Sequence, residues 1–137
     1  MEVRELKTFQ SGDIVAVRSK TGEYVAKFLS YRNEKYAVVE ILAVLKHPTQ
    51  GDLHFPNRVD VPLFHQRRAH AFREKVVVNH HAITSFDGEI PDYESSLKKA
   101  VEDKIAALEV KGNEWAQKSI ALIKDLEKDY FQGKKGM

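Results

Sequence analysis

Residues 35–45 read KYAVVEILAVL, a run in which apolar side chains fall on both faces of an extended chain. Successive side chains of a β-strand point to opposite faces of the sheet, and only Glu40 interrupts the apolar pattern here. A strand that is apolar on both faces has to be covered on both. We therefore expect one face to line a small barrel and the other to lie beneath a second layer.

Shorter β patterns flank this strand, and we predict further strands at residues 14–18, 23–31 and 76–79. Lys20, Thr21 and Gly22 read as a tight hairpin turn in which Gly22 is free to adopt a positive φ. Short strands joined by tight turns are typical of small barrels. We therefore predict an SH3-like β-barrel over residues 1–88, with a long irregular insertion at 46–75.

The second layer is predicted after residue 88, where the pattern changes to helical spacing. The apolar positions of a first helix are Tyr93, Leu97, Val101, Ile105 and Leu108. Those of a second helix are Trp115, Ser119, Leu122, Ile123, Leu126 and Tyr130. Asp92 suits the first N-cap, Gly112 the C-cap, and Asn113 the second N-cap. We therefore expect residues 89–137 to form an antiparallel helical hairpin packed on the barrel, which makes the fold class α+β.

The insertion at 46–75 is the segment in which we expect the functional site. Three of the four prolines lie there, and each removes a backbone donor and fixes φ, so the segment is neither a plain strand nor a plain helix. It also contains too many leucine, valine and phenylalanine side chains to be a free linker. Ordered, irregular segments between regular elements often carry the recognition residues of a small domain.

Composition excludes several classes of protein. The chain has 137 residues, which suits one domain or one domain with an appendage, and its formal net charge of +2 indicates no particular partner. It has no cysteine, which excludes disulfides, cysteine-ligated zinc, thiol catalysis and lipid attachment through cysteine. Residues 1–7 lack the apolar core of a signal peptide, and no run resembles a membrane span. We therefore expect a cytoplasmic protein.

Metal binding is the first chemical alternative, because all six histidines lie between residues 47 and 81. Asp52 and His54 have a spacing that could converge on a metal from an extended chain, whereas His65 and His70 are poorly spaced for a helix. Such histidines more often bond to backbone carbonyls and pack their rings. We expect no metal and no cofactor.

Nucleic-acid binding is the second alternative, and it is the runner-up function. Arg67, Arg68, Arg73 and Lys75 lie near aromatic side chains that could stack on bases. Nearby carboxylates dilute this basic patch, so the expected charge footprint is weak. Catalysis is a third alternative, but the sequence contains no nucleophile elbow, phosphate-binding loop or zinc-protease motif. We expect a protein that is not an enzyme.

Several motifs together resemble the kinase-associated protein B family of spore-forming bacilli. They are AVLKHPTQGDLH at 43–54, FHQRRA at 64–69, FDGEIPDY at 86–93, WAQKS at 115–119 and DYF at 129–131. The resemblance implies an accessory protein of a membrane sensor histidine kinase that feeds the sporulation phosphorelay, and it brings no catalytic residues. Members are often called lipoproteins, yet this chain has no cysteine to carry a lipid. We therefore expect any membrane association to occur through the kinase. The sequence does not decide whether the protein forms a homodimer.

We place the partner-binding surface on the insertion, because arginine beside aromatic side chains is enriched at protein interfaces. The residues expected to contact the partner are Phe64, Arg67, Arg68, Phe72 and Arg73. The alternative is that Arg67 or Arg68 holds the insertion to the barrel through a carboxylate such as Asp60 or Asp87.

Overall fold

A computed structural model describes residues 8–135 of the chain, with side chains through residue 131. Residues 1–7, whose sequence lacks the apolar core of a signal peptide, lie outside the described residues. The strands are β1 (Ile14–Ser19), β2 (Gly22–Tyr31), β3 (Tyr36–Lys46), β4 (Lys75–Asn79) and β5 (Ile83–Ser85). A 3-10 turn (His80–Ala82) separates β4 from β5, and the helices are α1 (Tyr93–Lys111) and α2 (Glu114–Lys135). The α+β class is confirmed.

The five strands form one antiparallel sheet in the order β4-β3-β2-β1-β5. In the described part of the chain, no ladder of hydrogen bonds joins β4 to β5, so the sheet is not closed and the predicted SH3-like barrel is not confirmed. The two edge strands, β4 and β5, each pair with a different neighbour and lie at different positions along the strand direction. Asn79 of β4 lies opposite Tyr36, whereas Ile83 of β5 lies opposite Val17.

The sheet is nevertheless strongly curled. Asn79 and Ile83 are four residues apart, so the chain can span at most ~14 Å between them. In a flat sheet, the four strand spacings between β4 and β5 would separate these edges by ~19 Å. A flat sheet therefore cannot accommodate the connection. Register shifts between β2 and β3, which increase local twist, provide part of the curvature.

The β1–β2 turn forms as predicted, but the role predicted for Gly22 is wrong. Positive φ occurs at Lys20 (48°) and Thr21 (69°), and Gly22 is not among the positive-φ residues. A Cβ at Gly22 would lie 2.6 Å from the Tyr24 hydroxyl oxygen. Glycine is needed here because a buried tyrosine lies against the backbone, whereas the turn itself is formed by two residues with side chains.

The helix ends form as the sequence predicts. The Asp92 carboxylate accepts from the Ser95 N–H, and Gly112 ends α1 in the left-handed conformation at φ 67°. The Asn113 side chain accepts from the Ala116 N–H at 2.8 Å, which caps α2. These side chains satisfy helix-terminal groups that would otherwise lack partners.

The helices cover β3, as its apolar pattern requires. Ala37, Val39, Ile41 and Ala43 are fully buried. On α1, the Ser96 hydroxyl accepts from the Val44 N–H at 3.0 Å, and Leu97 and Val101 are buried in the same core cluster. Ile123 of α2 joins that cluster. Neither helix, over its described residues, is long and apolar enough to span a membrane.

Candidate functional site

Residues 47–74 join β3 to β4 without forming a helix or a strand. Because no ladder satisfies their backbone groups, these groups need other partners wherever they are buried. Side chains from the sheet, the helices and the insertion itself provide many of them. The candidate site is formed by the parts of the insertion that are held most firmly in this way.

His47 anchors the start of the insertion, where its imidazole is fully buried. Its Nδ1 lies 3.1 Å from the Pro48 carbonyl oxygen, and its Nε2 lies 2.8 Å from the Tyr130 hydroxyl of α2. A carbonyl only accepts, so Nδ1 carries the hydrogen and Nε2 accepts from Tyr130. Burial lowers the pKa of His47 to about 4, and nearby Lys104 acts in the same direction.

Gln50 ties the two flanks of the insertion together. Its amide nitrogen donates to the carbonyls of Pro48 (3.1 Å) and Arg67 (2.8 Å), and its amide oxygen accepts from the Arg67 N–H at 2.8 Å. The Arg67 guanidinium, in turn, donates to the carbonyls of Thr49 and Gly51. The guanidinium of Arg67 is therefore bound to backbone oxygens of the insertion.

Three tyrosine hydroxyls hold the backbone of Ala69 and His70. The Tyr130 hydroxyl accepts from the Ala69 N–H at 2.9 Å, and the Tyr24 hydroxyl of β2 accepts from the His70 N–H at 3.2 Å. The Tyr93 hydroxyl, at the start of α1, donates to the His70 carbonyl. We call Tyr24, Tyr93 and Tyr130 the tyrosine clamp. Burial raises the pKa of all three, and that of Tyr93 rises to about 12.

The turn that follows the clamp is fixed by Glu74. One oxygen of its carboxylate accepts from the Ala71 N–H at 2.8 Å, and the other lies 3.1 Å from His70 Nδ1. The Glu74 carbonyl accepts from the Ile41 N–H at 2.9 Å, which joins the turn to β3. Residues 70–74 therefore form one rigid unit with the sheet.

Arg73 completes this turn in a conformation that a residue with a side chain rarely adopts, at φ 69°. Its N–H donates to the Ile41 carbonyl at 2.7 Å, and its guanidinium donates to Glu40 at 2.9 Å. The bond from Arg73 lowers the pKa of the Glu40 carboxyl. A strained backbone conformation persists only where its surroundings hold it. Here it is held by the backbone bond to Ile41 of β3 and by the side-chain bond to Glu40.

Phe72 lies at the tip of this turn and is 53% exposed. Its ring centroid is 5.7 Å from that of Tyr93, and both rings line a groove of about 620 Å³. The groove lies where the insertion, the segment before α1 and the end of α2 meet. It is lined by Leu42, Phe72, Ile90, Pro91, Asp92, Tyr93, Glu94, Leu97, Tyr130 and Phe131. We call it the Phe72 groove.

Arg68 lies on the α2 side of the insertion. Its guanidinium donates to Asp129 at 2.8 Å and lies 5.3 Å from the centroid of the Tyr130 ring, which itself lines the Phe72 groove. Both side chains of the ion pair are more than half exposed. Exposed pairs of this kind contribute at most about 1 kcal/mol to stability, so Arg68 is available for another role.

The five residues expected to contact a partner fall into two neighbourhoods. Phe72 lines the Phe72 groove, Arg68 lies over the ring of Tyr130, which also lines it, and Arg73 follows Phe72 in the same turn. Phe64 instead packs near Gly51, with the Lys118 ammonium 4.8 Å from its ring centroid, and Arg67 bonds to the backbone nearby. Asp60, one of the two carboxylates that could have held Arg67 or Arg68 to the barrel, pairs with Arg58 instead.

Ser19, His70 and Glu74 form a chain that resembles a hydrolase triad. The Ser19 hydroxyl lies 2.9 Å from His70 Nε2, and His70 Nδ1 lies 3.1 Å from Glu74. A nucleophile also needs donors placed for a developing oxyanion, and it must face a site that holds substrate. Here Glu74 also binds a backbone N–H of the same turn, which is the geometry of a loop-stabilising network.

The histidines do not converge on one point. Among the described residues, no group of three or more histidine and carboxylate side chains is placed to hold a metal ion. His47 bonds to Tyr130 and His70 to Ser19, while the rings of His80 and His81 pack against each other at 4.3 Å.

Sequence reasoning missed the residues that fix the insertion. The sequence pattern places Tyr93 and Tyr130 in apolar helix stripes, whereas their hydroxyls bond to insertion residues. The only signal that points to this role is a general one: a buried tyrosine hydroxyl normally has a hydrogen-bond partner. Gln50 carries no such signal, since a polar residue just before Gly51 and two after Pro48 is typical of an exposed turn.

Comparisons with known proteins identify relatives in sequence and a solved structure with a similar fold. The family described as "Kinase associated protein B" matches residues 19–131. The chain is 44% identical over 126 residues to Kinase-associated lipoprotein B of Bacillus subtilis (strain 168), covering 92% of this chain and 98% of that protein. It is also similar to the crystal structure of kinase-associated protein B from Bacillus cereus. That match has a TM-score of 0.76 and 36% identity, and it covers 90% of this chain and 98% of the other.

Proposed function

Because the chain belongs to the kinase-associated protein B family, we propose that it is a non-catalytic accessory protein of a membrane sensor histidine kinase. It supports activation of the sporulation phosphorelay by binding that kinase directly. It acts in the cytoplasm and reaches the membrane through its partner.

The proposed contact surface lies on the insertion and draws on both neighbourhoods, that of Phe64 and Arg67 and that of Arg68, Phe72 and Arg73. Within it, Phe72 and Arg68 are the residues available for contact, since one is half exposed and the other forms only an exposed ion pair. Arg67 acts by holding the insertion in shape, because its guanidinium already binds two carbonyls.

The observation that carries this proposal is an exposed aromatic ring on a rigid turn. Phe72 is fixed by the tyrosine clamp before it and by the Arg73–Glu40 bond after it. Water-exposed aromatic rings become binding hot spots when a partner buries them. A residue that is already immobile loses little conformational entropy on binding, so its buried surface contributes more to affinity.

The nucleic-acid alternative receives less support. Arg67 binds carbonyl oxygens, Arg68 binds Asp129, and Arg73 binds Glu40. Phosphate binding requires several free cationic groups along a path, and of these three guanidinium groups only that of Arg68, whose ion pair is exposed on both sides, is readily available. A recognition surface for another protein fits an apolar groove better.

Co-purification with identification of the bound kinase tests the proposal. The tagged full chain, as wild type, Phe72→Ala and Leu63→Ala, is recovered from crosslinked cells of its own bacterium entering sporulation. Leu63 is a matched control, because it is an exposed apolar residue of the insertion outside the Phe72 groove. We expect a sensor histidine kinase to be enriched with wild type and Leu63→Ala, and several-fold less with Phe72→Ala.

The activity of the kinase provides the second measurement. Wild-type chain added to the purified kinase should raise its autophosphorylation rate, and Phe72→Ala should raise it less at the same concentration. Recovery of no sensor histidine kinase with the wild-type chain would overturn the proposal.

A further inference from the structure

A row of charged side chains crosses the sheet near the β1–β2 turn. Arg18 of β1 lies directly opposite Glu23 of β2, and Glu23 lies directly opposite Lys46 of β3. Opposite residues of an antiparallel ladder project from the same face, so these three side chains form one row. Lys20 lines the same cavity as Arg18 and Glu23, and the Arg18 guanidinium donates to the His81 carbonyl at 3.2 Å.

Lys104 of α1 joins this row from the helical layer. Its ammonium donates to the Thr49 hydroxyl at 3.3 Å, while Lys46 repels it and Glu23 attracts it. Lys104 is half-buried, and burial, followed by the repulsion from Lys46, lowers its pKa. Two cations held close together in a partly desolvated place are unfavourable, and a bound anion would relieve this. We call Arg18, Lys20, Lys46 and Lys104 the basic patch.

The positive charge of the basic patch is not neutralised within the part of the chain that the structure describes. No ion pair among residues 8–131 includes any of its four cations. Glu23 is the one carboxylate that the described residues place in the row. Phe9, near the start of the described chain, bonds to Tyr31 at the other end of β2, and Phe131, the last described side chain, lines the Phe72 groove.

The spacing of these cations fits several carboxylates better than one compact anion. Neighbouring strands lie ~4.8 Å apart, so the backbones of Arg18 and Lys46 are ~10 Å apart, with Glu23 between them. A single phosphate does not bridge this distance, and it would meet the Glu23 carboxylate. Acidic side chains two positions apart on an extended segment are ~7 Å apart and lie on one side of it, so such a segment can reach the cations on both sides of Glu23.

Nucleic acid fits this surface less well than a protein segment does. Single strands bind where bases stack on exposed aromatic rings beside cations. The exposed aromatic side chains of the described chain are Tyr31, Tyr36, Phe55 and Phe72, and none of them lines the cavity beside Arg18. A protein partner is also what the proposed function requires.

We propose that the basic patch docks an acidic segment of the partner kinase, in which aspartate or glutamate side chains recur at alternate positions of an extended chain. This inference rests on the proposed function only in assigning the segment to the kinase. Carboxylates on one side of Glu23 bind Lys46 and Lys104, and those on the other side bind Arg18 and Lys20. Electrostatic complementarity of this kind contributes mainly to the association rate and to specificity.

Charge reversal measures the contribution of the basic patch to kinase binding. The patch variant, Lys20→Glu with Lys46→Glu, changes two exposed ammonium groups that form no ion pair among the described residues. The matched control, Arg32→Glu with Lys35→Glu, makes the same charge change in the exposed β2–β3 turn. The patch variant should bind purified kinase about 10-fold more weakly at low salt, and the difference should shrink at high salt. The control should stay within about 2-fold of wild type.

A kinase-independent arm separates this inference from the proposed function. It uses a synthetic peptide of alternating glutamate and serine, and a matched peptide with glutamine in place of glutamate. In ¹⁵N-labelled full chain at low salt, the glutamate peptide should shift the amide signals of Lys20, Glu23, Lys46 and Thr49, and the glutamine peptide should not. The patch variant should lose these shifts and the control variant should keep them. Failure to recover a kinase overturns the proposed function, whereas this arm still tests the basic patch.

Four results would overturn the inference. Equal kinase affinity of the patch and control variants would place the contact elsewhere. Peptide shifts that persist in the patch variant would show binding at another surface. Inorganic phosphate that causes the same shifts at the same concentration and ionic strength would identify a site for a small anion. An oligonucleotide that binds more tightly than the glutamate peptide, and only when the basic patch is intact, would identify a nucleic-acid surface.

Discussion

The sheet-and-helix core and the insertion are stabilised in different ways. The core depends on aliphatic burial and backbone ladders, with Val39 and Ile41 completely buried between the layers. The insertion depends on side chains that bond to its backbone, such as Gln50 and the tyrosine clamp. A segment without secondary structure can therefore be as well fixed as a strand, and it can present an exposed ring without losing its shape.

Among the changes that test this difference, removal of the helices should reduce stability most. Deletion of residues 92–131 would expose the outer face of β3 and remove the partner of His47. We expect the remaining fragment to aggregate, because a large apolar surface would meet water. Size-exclusion chromatography and thermal unfolding by circular dichroism measure this. A soluble fragment 1–91 that unfolds cooperatively would contradict it and would show that the sheet is an independent domain.

Within the insertion, Gln50→Ala should be among the most costly single substitutions. It removes three hydrogen bonds and takes these partners from the Arg67 N–H and carbonyl, while the Pro48 carbonyl keeps its bond from His47. We expect a loss of about 3 kcal/mol in the free energy of unfolding, measured in urea. Leu63→Ala in the exposed part of the same insertion should change stability by less than about 0.5 kcal/mol. Equal effects would mean that the insertion is not held as a unit.

Acidification should weaken the insertion through His47. The pKa of His47 falls from 6.5 to about 4 on folding, so the unfolded chain takes up a proton at a higher pH than the folded chain. The stability contributed by neutral His47 is complete above pH 6.5 and is lost as the pH falls towards 4, by about 3 kcal/mol in total.

Urea unfolding at several pH values measures this loss. His47→Gln should be less stable than wild type at pH 7 but should lose less stability on acidification. Exposed His54 provides the control, and His54→Gln should follow the wild-type pH profile. A His47→Gln profile parallel to that of wild type would exclude His47 as the cause.

Arg67 and Arg68 are adjacent, but their replacement by alanine should reduce stability by different amounts. Arg67→Ala removes two bonds to backbone carbonyls and should cost about 2 kcal/mol, whereas Arg68→Ala removes an exposed ion pair and should cost less than about 1 kcal/mol. Thermal unfolding separates the two. If Arg68→Ala destabilises the protein as much as Arg67→Ala does, the Asp129 pair is structural and Arg68 is a poor candidate for partner contact.

A similarly small effect is expected for Ser19→Ala. The hydroxyl bonds to His70, and its removal should cost about 1 kcal/mol without affecting kinase binding. Wild-type Ser19 should also fail to react with a fluorophosphonate probe, because the Ser19–His70–Glu74 chain serves to hold the turn. Labelling that disappears in Ser19→Ala would identify a reactive serine instead.

Much of the fold follows from local pattern. The double apolar run ending at Leu45 predicts a strand covered on both faces, which holds in its middle, although Tyr36 and Leu45 at its ends are 39% and 42% exposed. The residues Asp92, Gly112 and Asn113 correctly predict where helices begin and end. These succeed because periodicity and capping depend on neighbours in sequence. Closure of the barrel was not predictable in this way, since it depends on the relative heights of β4 and β5.

The sequence by itself determined the α+β class, the helical hairpin, the position of the insertion and, through its motifs, the family. Only the tertiary structure decided what the insertion residues do. Arg67 and Arg68 are adjacent and chemically identical, yet one binds carbonyls of the insertion and the other an exposed carboxylate on α2. Phe72 is exposed because tyrosines distant in sequence hold the turn that carries it. The reason is physical: hydrogen bonds depend on distance and direction between atoms, and the residues that meet here are separated by as many as 83 positions along the chain.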